Sequence, residues 1–455
     1  AHEYFREPGL GDDDFAAQLL PDTELPGTDP DDAREACRAL KGSLLRQETY
    51  ALDGTDKSAN PYSVSERSYS VVQLQPRGDG RYGVFFAHAA ESLEYHYERN
   101  PADPRIGHSL TLAVDAFGNV LESAAIGYGR RAADADLSTV EAAAQTQTLI
   151  KWSRHDFTNA IDDAQTWRTP APAESREYEV TALPLAPRAT RYSAADFAGA
   201  AALPAIGYEE TPTLLSPQKR LLADARTIYR RDDLTAPLAL GRLESRALPA
   251  GQYQLAFTPA LLTARYAGRV SDTMLSSEGG YVHLDGDANW WAPSGSVFYS
   301  AAAADSPAVE LATAQAHFFL PRRFQDPFGA SATVAYDRYD LLPLETVDAA
   351  GNRVTAGERA ADDSLLQSGI DYRVLSPALL TDANRNRSAV AFDTRGLVVG
   401  TAVMGKPGET VGDSLAGFQT DLTDAEIAAH LNDPLASAAD VLGRASTRVI
   451  YDLFA

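Results

Sequence analysis

Gly412-Asp413-Ser414-Leu415 places a serine where a serine hydrolase of the GDSL type would carry its nucleophile. Such a serine is inert until a histidine takes its proton and an acid orients that histidine. The motif stands late in the chain, in the glycine-rich stretch "GKPGETVGDSLAG". His430 has Ile427, not an aspartate, three positions before it. The match is an accident of composition. "VMGKPGE" likewise lacks the Gly-x-x-x-x-Gly-Lys-Ser/Thr spacing that cradles a phosphate. The eight histidines form no His-x-x-x-His or His-Glu-x-x-His pair. His88 and His96, in "FFAHAA" and "YHYERN", read as partners within a sheet rather than as ligands.

The best cation candidate is "LDGDANWW", with Asp285, Asp287 and Asn289 in D-x-D-x-N order. A calcium loop of that kind needs glycine at its sixth position and glutamate at its twelfth. Here those positions hold Trp290 and Ser296. Carboxylate pairs for glycoside hydrolysis are numerically available among 63 acids, but spacing along a chain does not fix spacing in space. We therefore expect no catalytic residue, no cofactor site and no metal site.

The totals narrow the field further. A formal charge of −23 repels phosphate backbones, and no basic cluster exceeds a pair such as Arg230-Arg231 or Arg322-Arg323, so nucleic acid is excluded as a partner. No run approaches the ~18 apolar residues of a membrane span, so direct membrane insertion is not expected. A signal peptide is missing too, but the chain opens on Ala1 rather than Met, as a fragment would, and this says little about compartment. The single cysteine, Cys37, allows neither an intrachain disulfide nor a cysteine zinc site. Ala33, Cys37, Leu40 and Leu44 share one face at helical spacing, which predicts a buried thiol acting as a small apolar group.

With 455 residues the chain exceeds one ordinary core. Residues 1–30 are acidic and rich in Pro and Gly and read as a surface linker. Residues 31–160 begin with a helix at Pro30, capped by Asp29, and continue as β-hairpins. "RSYSVVQLQPRGDGRYGVFFAH" is two strand-forming runs around a Gly-Asp-Gly turn. "HSLTLAVDAFGNVLESAAIGYG" places Leu110, Leu112 and Val114 on one face. Residues 161–225 form an irregular connecting segment; from 132 onward, Ala-rich and Pro-rich stretches separate shorter strands. Residues 226–455 return to a repeating pattern. Short helices are expected near 194–202, 258–266, 307–317 and 422–430, the last with Thr423 and Glu426 at capping-box spacing.

The repeat is counted in aspartates. Asp326, Asp337 and Asp348 fall eleven residues apart, as do Asp382 and Asp393; Asp115 stands in the same phrase earlier, and Asp440 and Asp452 follow twelve apart. Glycine stands three residues after five of them, at 118, 329, 351, 396 and 443. An aspartate opening a type I turn accepts the N–H two residues on, and a glycine in the fourth position takes the left-handed conformation that completes the reversal. Each interval of eleven is then one strand of about seven residues, about 23 Å long, plus one tight turn. Calcium binding by these acids would require several oxygens converging on one point, whereas a whole strand separates each from the next.

Asp-x-x-Gly turns preceded by a strand ending in Tyr-Asp resemble RHS/YD repeats; "DVLGRASTRVIYD" is close to that consensus, while Tyr336-Asp337-Arg338-Tyr339 lacks its Gly-Arg. Longer phrases are similar to the B component of bacterial insecticidal toxin complexes (Tc toxins): "LRQETYALDGT", "YHYERNPADPRIGHSLTLAVDAFGNVLESAAIGYGRR", "LPLETVDAAGN" and "RSAVAFDTRGLVVGTAVMGKPGE". The resemblance covers most of 30–160 and 225–455. It implies a mainly β fold, an RHS/YD-repeat antiparallel hairpin meander forming part of a curved shell wall with a few short helices inserted. It also implies a secreted virulence protein without enzymatic activity. Its C-component partner would complete the shell and supply the cytotoxic cargo, and a pore-forming A component would dock through parts of B not present here. The self-cleaving protease of that family belongs to the C component, and nothing in this chain matches it.

The competing readings are an extracellular adhesive or carbohydrate-binding RHS-type β protein and a β-rich glycosidase. A lectin-like site would gather Trp and Tyr in one shallow groove, for which "ANWWAPSGSVFYS" at 288–300 is the candidate; a shell holding an unfolded cargo would expose scattered apolar and polar groups over a large cavity. The chain closes on "RVIYDLFA", where Tyr451-Asp452 should open a turn whose return strand is supplied by following chain or by a partner. A proteolysis time course with a fully protected, monomeric C-terminus would contradict that expectation.

Overall fold

The computed structural model describes residues 4–23, 25–26, 30–187, 189–409 and 411–451. Asp29, the expected helix cap, and Asp452, the last expected turn residue, lie outside the described residues. The fold is mainly β with short helices, as the sequence implies. It divides into two compact units, one of residues up to 229 with 238–248 and 252–293, the other of residues 230–237, 249–251 and 294–455.

In the first unit one antiparallel meander dominates. Its strands are β1 (Arg46–Thr49), β2 (Ser63–Gln75), β3 (Val84–His96), β4 (Arg105–Val114), β5 (Val120–Tyr128), β6 (Leu149–Phe157), β7 (Pro172–Thr181), β8 (Gln218–Tyr229), β9 (Pro249–Phe257) and β10 (Trp290–Pro293), hydrogen-bonded in that order. A two-residue strand, Ala205–Ile206, adds parallel to β8. The stretch from 132 onward, expected to hold only shorter strands, supplies β6, β7 and β8, which are 9, 10 and 12 residues long. Their apolar alternation is broken by charged residues that pair with one another, Arg176 with Asp156 and Arg226 with Glu174 across strands, and Arg176 with Glu174 along β7.

The core of this unit lies on one face of the sheet. Leu110, Ala124, Ile126, Ile150, Trp152 and Val180 point to the same side, and Tyr192, Phe197 and Ala200 from the connection between β7 and β8 fold over them. That connection makes two tight 3-10 turns, Ala194–Phe197 and Ala200–Ala202, where one helix near 194–202 was expected. The acidic opening stretch forms α1 (Asp12–Gln18), with Phe15 buried. In α2 (Pro30–Ala39) the inward position is Ala36, fully buried, and Cys37 is exposed. The thiol expected inside is thus outside: the helix ends before Leu44, and the inward stripe runs through Ala33, Ala36 and Leu40, turned about 100° from Cys37. After β5 comes α3 (Thr139–Thr146), followed late in this unit by α4 (Pro259–Tyr266).

The second unit carries α5 (Pro307–Ala316) and a second antiparallel sheet, in the order β11 (Ser296–Phe298), β12 (Arg323–Gln325), β13 (Ser331–Tyr336), β14 (Pro343–Val347), β15 (Arg353–Thr355), β16 (Leu379–Thr381), β17 (Arg387–Phe392), β18 (Val398–Met404) and β19 (Thr447–Arg448). Two small hairpins, 357–359 with 365–368 and 370–371 with 376–377, are inserted between β15 and β16. The chain leaves β15 at Gly357 (φ +149°), where a Cβ would meet the Gln367 carbonyl oxygen at 2.1 Å. The strands are two to seven residues long, shorter on average than expected.

The aspartate turns form as the spacing predicts. At Asp115, Asp326, Asp348 and Asp393 the backbone carbonyl accepts the N–H three residues on, and the aspartate N–H donates to the carbonyl four on. The carboxylate accepts the N–H groups two and four residues on, all at 2.8–2.9 Å. Gly118, Gly329, Gly351 and Gly396 lie at φ +86° to +88°. Asp382 makes the same reversal with Arg385 at φ +68°, and Asp337 makes one a residue longer with Asp340 at φ +55°. Two further reversals fill the gap between 348 and 382. One opens at Ala360, with Asp363 at φ +65°, and the other at Asp371, whose carboxylate accepts the Arg373 N–H.

Asp440 departs from this rule. It lies inside α7 (Pro434–Leu442), which follows α6 (Asp424–Asn432). Asp433 caps α7 by accepting the Ala436 N–H, Pro434 occupies its first turn, and Gly443 (φ +58°) ends it. Capping aspartate, first-turn proline and terminal glycine are together a complete helix signal, stronger than one Asp-x-x-Gly spacing.

At Gly351 nothing in the chain lies within 4 Å of the position a Cβ would take. Gly351→Val should therefore cost about 1–2 kcal/mol from backbone conformation alone, and Gly351→Asn clearly less. Urea titration of both variants checks this; equal stability of Val and Gly would refute the left-handed requirement.

Candidate functional site: the open face of the long sheet

The residues that could have held an ion do something else. Asp285 (φ +52°) and Gly286 (φ +74°) make a turn that delivers Asp287 to the indole of Trp291, whose Nε1–H donates to both carboxylate oxygens at 3.2 Å. The Asn289 N–H donates to the same carboxylate, and Arg226 pairs with it at 3.2 Å. Arg226 also stacks on the Trp291 ring at 4.1 Å and pairs with Glu174 at 2.7 Å. The charge of Asp287 is thus met by a guanidinium, and no three metal-ligating side chains converge among the described residues. Trp290 and Trp291 are buried, so the aromatic groove sketched for 288–300 does not form there.

The remaining candidates are scattered. Ser414 Oγ accepts the Ala416 N–H in a local turn, and His430 instead bonds Ser437 Oγ at 2.7 Å. His88 donates to the Ala89 carbonyl and tilts against Phe86, and His96 is exposed at the end of β3. The histidine that matters structurally is His108, which is only 2% exposed. Its Nε2 meets Glu91 at 2.9 Å and its Nδ1 the Tyr128 hydroxyl at 2.9 Å. Burial pushes the Glu91 carboxyl up, but its bonds with His108 and Arg191 outweigh burial and hold it below the usual carboxylate range. Arg191 in turn donates to the Ala17 and Leu19 carbonyls behind α1, tying the first helix to the sheet. His108 shares strand parity with Leu110, and that parity is the signal that could have placed it inside.

The two faces of the sheet differ sharply in composition. One cross-strand row runs Glu66, Leu93, His108, Ile126, Ile150, Val180, Lys219, and the next Ser68, Glu91, Leu110, Ala124, Trp152, Tyr178, Leu221. These are the core rows. On the opposite face the rows run Ser65, Glu94, Gly107, Gly127, Leu149 and then Arg67, Ser92, Ser109, Ala125, Lys151, Glu179, Arg220. These open rows contain no aromatic residue. Their charges are paired: Arg67 with Glu94, Arg220 with Glu179, and Lys151 with Glu177 of the neighbouring row. A shallow trough of about 540 Å³ crosses this face from Ser92 to Leu222. Chemically it offers hydroxyls, bare backbone and neutralised charge, and no nucleophile with a base.

Residues 35–170 match the family model described as the insecticide toxin TcdB middle/C-terminal region. No curated protein matches the chain. Among solved structures it resembles the TcdB2–TccC3 complex, with 22% identity, a TM-score of 0.58, and coverage of 94% of this chain and 20% of that one. It also resembles the Photorhabdus luminescens Tc holotoxin pore, with 23% identity, a TM-score of 0.58, and coverage of 95% and 20%. The chain thus spans about a fifth of the length of the chains it resembles. Its fold is that of toxin-complex proteins. Over residues 35–170 the family match bears out the more particular resemblance, to the middle region of a Tc toxin B component.

One buried acid sets a pH dependence. Asp224 is 8% exposed, and burial first, then the nearby Glu174 carboxylate, push it up to about 7 against the opposing pull of Arg226 and Arg176. The unfolded chain ionises this group near pH 4. Folding therefore takes up a proton, and this group's stability contribution falls as pH rises from about 4 towards 7, then levels. Asp224→Asn mimics the protonated acid, so it should stabilise the protein more at pH 8 than at pH 5. Thermal melts of both proteins at both pH values test this; an equal effect at the two would reject the raised acid.

Proposed function

We propose that this chain is a structural portion of a toxin-encapsulating RHS-repeat shell, a stretch of wall without catalytic activity that helps house and deliver a cytotoxic partner segment. The observation that carries the reading is the open face of the long sheet. A wall that holds a non-native polypeptide through contacts that do not depend on charge should carry short side chains and be electrically neutral. A face of serine, glycine and alanine with paired charges, and with Leu149 and Leu222 exposed on it, meets those requirements. Catalysis finds no support in the candidate serines, histidines and acids, which are each committed to local structure.

On this reading the partner is a C component that completes the shell and supplies the cargo, and a pore-forming A component docks through parts of B outside this chain. The solved structures it resembles, TcdB2 with TccC3 and a holotoxin pore, support that choice. The assembly would be secreted. No helix among the described residues is long and apolar enough to cross a membrane, which accords with a role that leaves membrane passage to another component.

Co-expression of the B protein carrying this chain with a C-type partner, followed by electron microscopy and limited proteolysis, tests the proposal. Hollow particles whose internal segment resists protease are expected. Separately folded, non-associating proteins would overturn it.

A further inference from the structure

Gly107 on β4 and Gly127 on β5 are direct cross-strand partners, one pair in from the end of their ladder and away from the β-bulges near Thr111 and Val114. Neither has the left-handed backbone that requires glycine, and a Cβ built on either would meet nothing within 4 Å. Neither backbone conformation nor lack of space therefore requires glycine at these two positions. Glycine inside a strand weakens it and marks places where a ligand or another backbone comes close.

Both glycines line the 540 Å³ trough on the open face. Thr181, at the same trough, is 7% exposed, and its hydroxyl has no hydrogen-bond partner. A buried hydroxyl left unsatisfied costs stability unless something supplies its bond. Leu149 (58% exposed) and Leu222 (41% exposed) supply apolar surface beside it. The ion pairs of Lys151 and Arg220 leave no net charge to recruit a charged ligand. The trough crosses six strands, β3 to β8, so it spans roughly 24 Å, the length of about seven extended residues.

We propose that this trough is a binding site for an extended, uncharged polypeptide segment of a partner chain, its backbone lying against the Gly107–Gly127 pair. Its aliphatic side chains would rest on Leu149 and Leu222, and a peptide group would reach the Thr181 hydroxyl. The inference rests on the containment reading for its biological occupant, since a cargo held unfolded presents such segments.

The test uses the 455-residue chain and a fluorescein-labelled peptide about nine residues long, alternating serine and leucine, with lysine- and glutamate-substituted versions. Fluorescence anisotropy should show saturable binding of the neutral peptide and weaker binding of both charged ones. Gly107→Val and Gly127→Val, which fill the trough, should each weaken binding about tenfold or more, equivalent to ~1.4 kcal/mol. Their melting temperatures should stay unchanged or rise, because valine favours strands. Thr181→Val, a near-isosteric change, gives a second readout and should weaken binding severalfold. Absence of binding to the parent chain, or equal binding by the valine variants, overturns the site. Hollow particles forming without trough-dependent peptide binding would leave the containment reading standing and the site refuted; trough-dependent binding without particles would do the reverse.

Discussion

A carboxylate that accepts two backbone N–H groups at the end of a strand is the interaction on which this architecture depends. A chain that reverses direction every eleven residues must repeatedly leave N–H groups without strand partners, and each orphan is costly away from water. Asp115, Asp326, Asp348 and Asp393 settle two of them apiece, so each of these corners closes at one residue rather than sliding. A slip of one residue would exchange the two faces of every following strand. The turn at Ala360 shows that position matters more than the acid. Its backbone bonds form without an aspartate at the head, and the Asp362 carboxylate takes the Ser364 N–H instead.

Fixed register is what allows one sheet to have two unlike faces. Trp152 and Lys151 are neighbours in sequence, yet one is 1% exposed in the core and the other stands on the open face opposite Glu179. The core side obtains its stability from apolar burial under Tyr192 and Phe197. The open side needs little stabilisation of its own, so its residues are free to be small. Along β7 and β8 the core side changes character, from Val180, Tyr178 and Leu221 at one end to Arg176, Glu174, Asp224 and Arg226 towards the other. There the closure is electrostatic, with Arg226 held between Glu174 and Asp287.

The corners were legible because aspartate followed by glycine three residues later states a local geometry that tertiary packing does not override. The same spacing misled at Asp440, where a helix ends on the same glycine, and it passed over Ala360, which turns without an acid. The strands β7 and β8 were obscure because half-buried ion pairs break the apolar alternation from which strands are read. Cys37 was misplaced by one helical position, a matter of about 100° of rotation that a ten-residue helix does not resolve. For the open face the relevant pattern was present in phrases such as "IGHSL" and "SAAIGY" but silent, since small residues identify a surface only when the register of six strands is known together.

The inserted hairpins between β15 and β16 show how such a meander survives interruption. The ladder between these two strands is reduced to the single pair Thr355 and Thr381, both buried. In its place the turns grip one another. The Tyr372 hydroxyl donates to the Asp337 carboxylate at 2.8 Å, and the Arg373 guanidinium donates to the Asp393 carbonyl at 2.6 Å, so the inserted turn at 371 bridges corners on either side of it. At the Ala360 turn, Arg359, which is 2% exposed, pairs with Asp363 and donates to the Arg353 and Asp382 carbonyls. Burial raises the Asp337 carboxyl, yet its bonds from Leu342, Tyr372, Leu341 and Tyr339 outweigh that and hold it below the usual range. It is therefore a charged, fully bonded anchor at working pH. The aspartates thus serve twice: each closes its own hairpin, and where strand pairing lapses its spare oxygen or carbonyl joins one hairpin to the next.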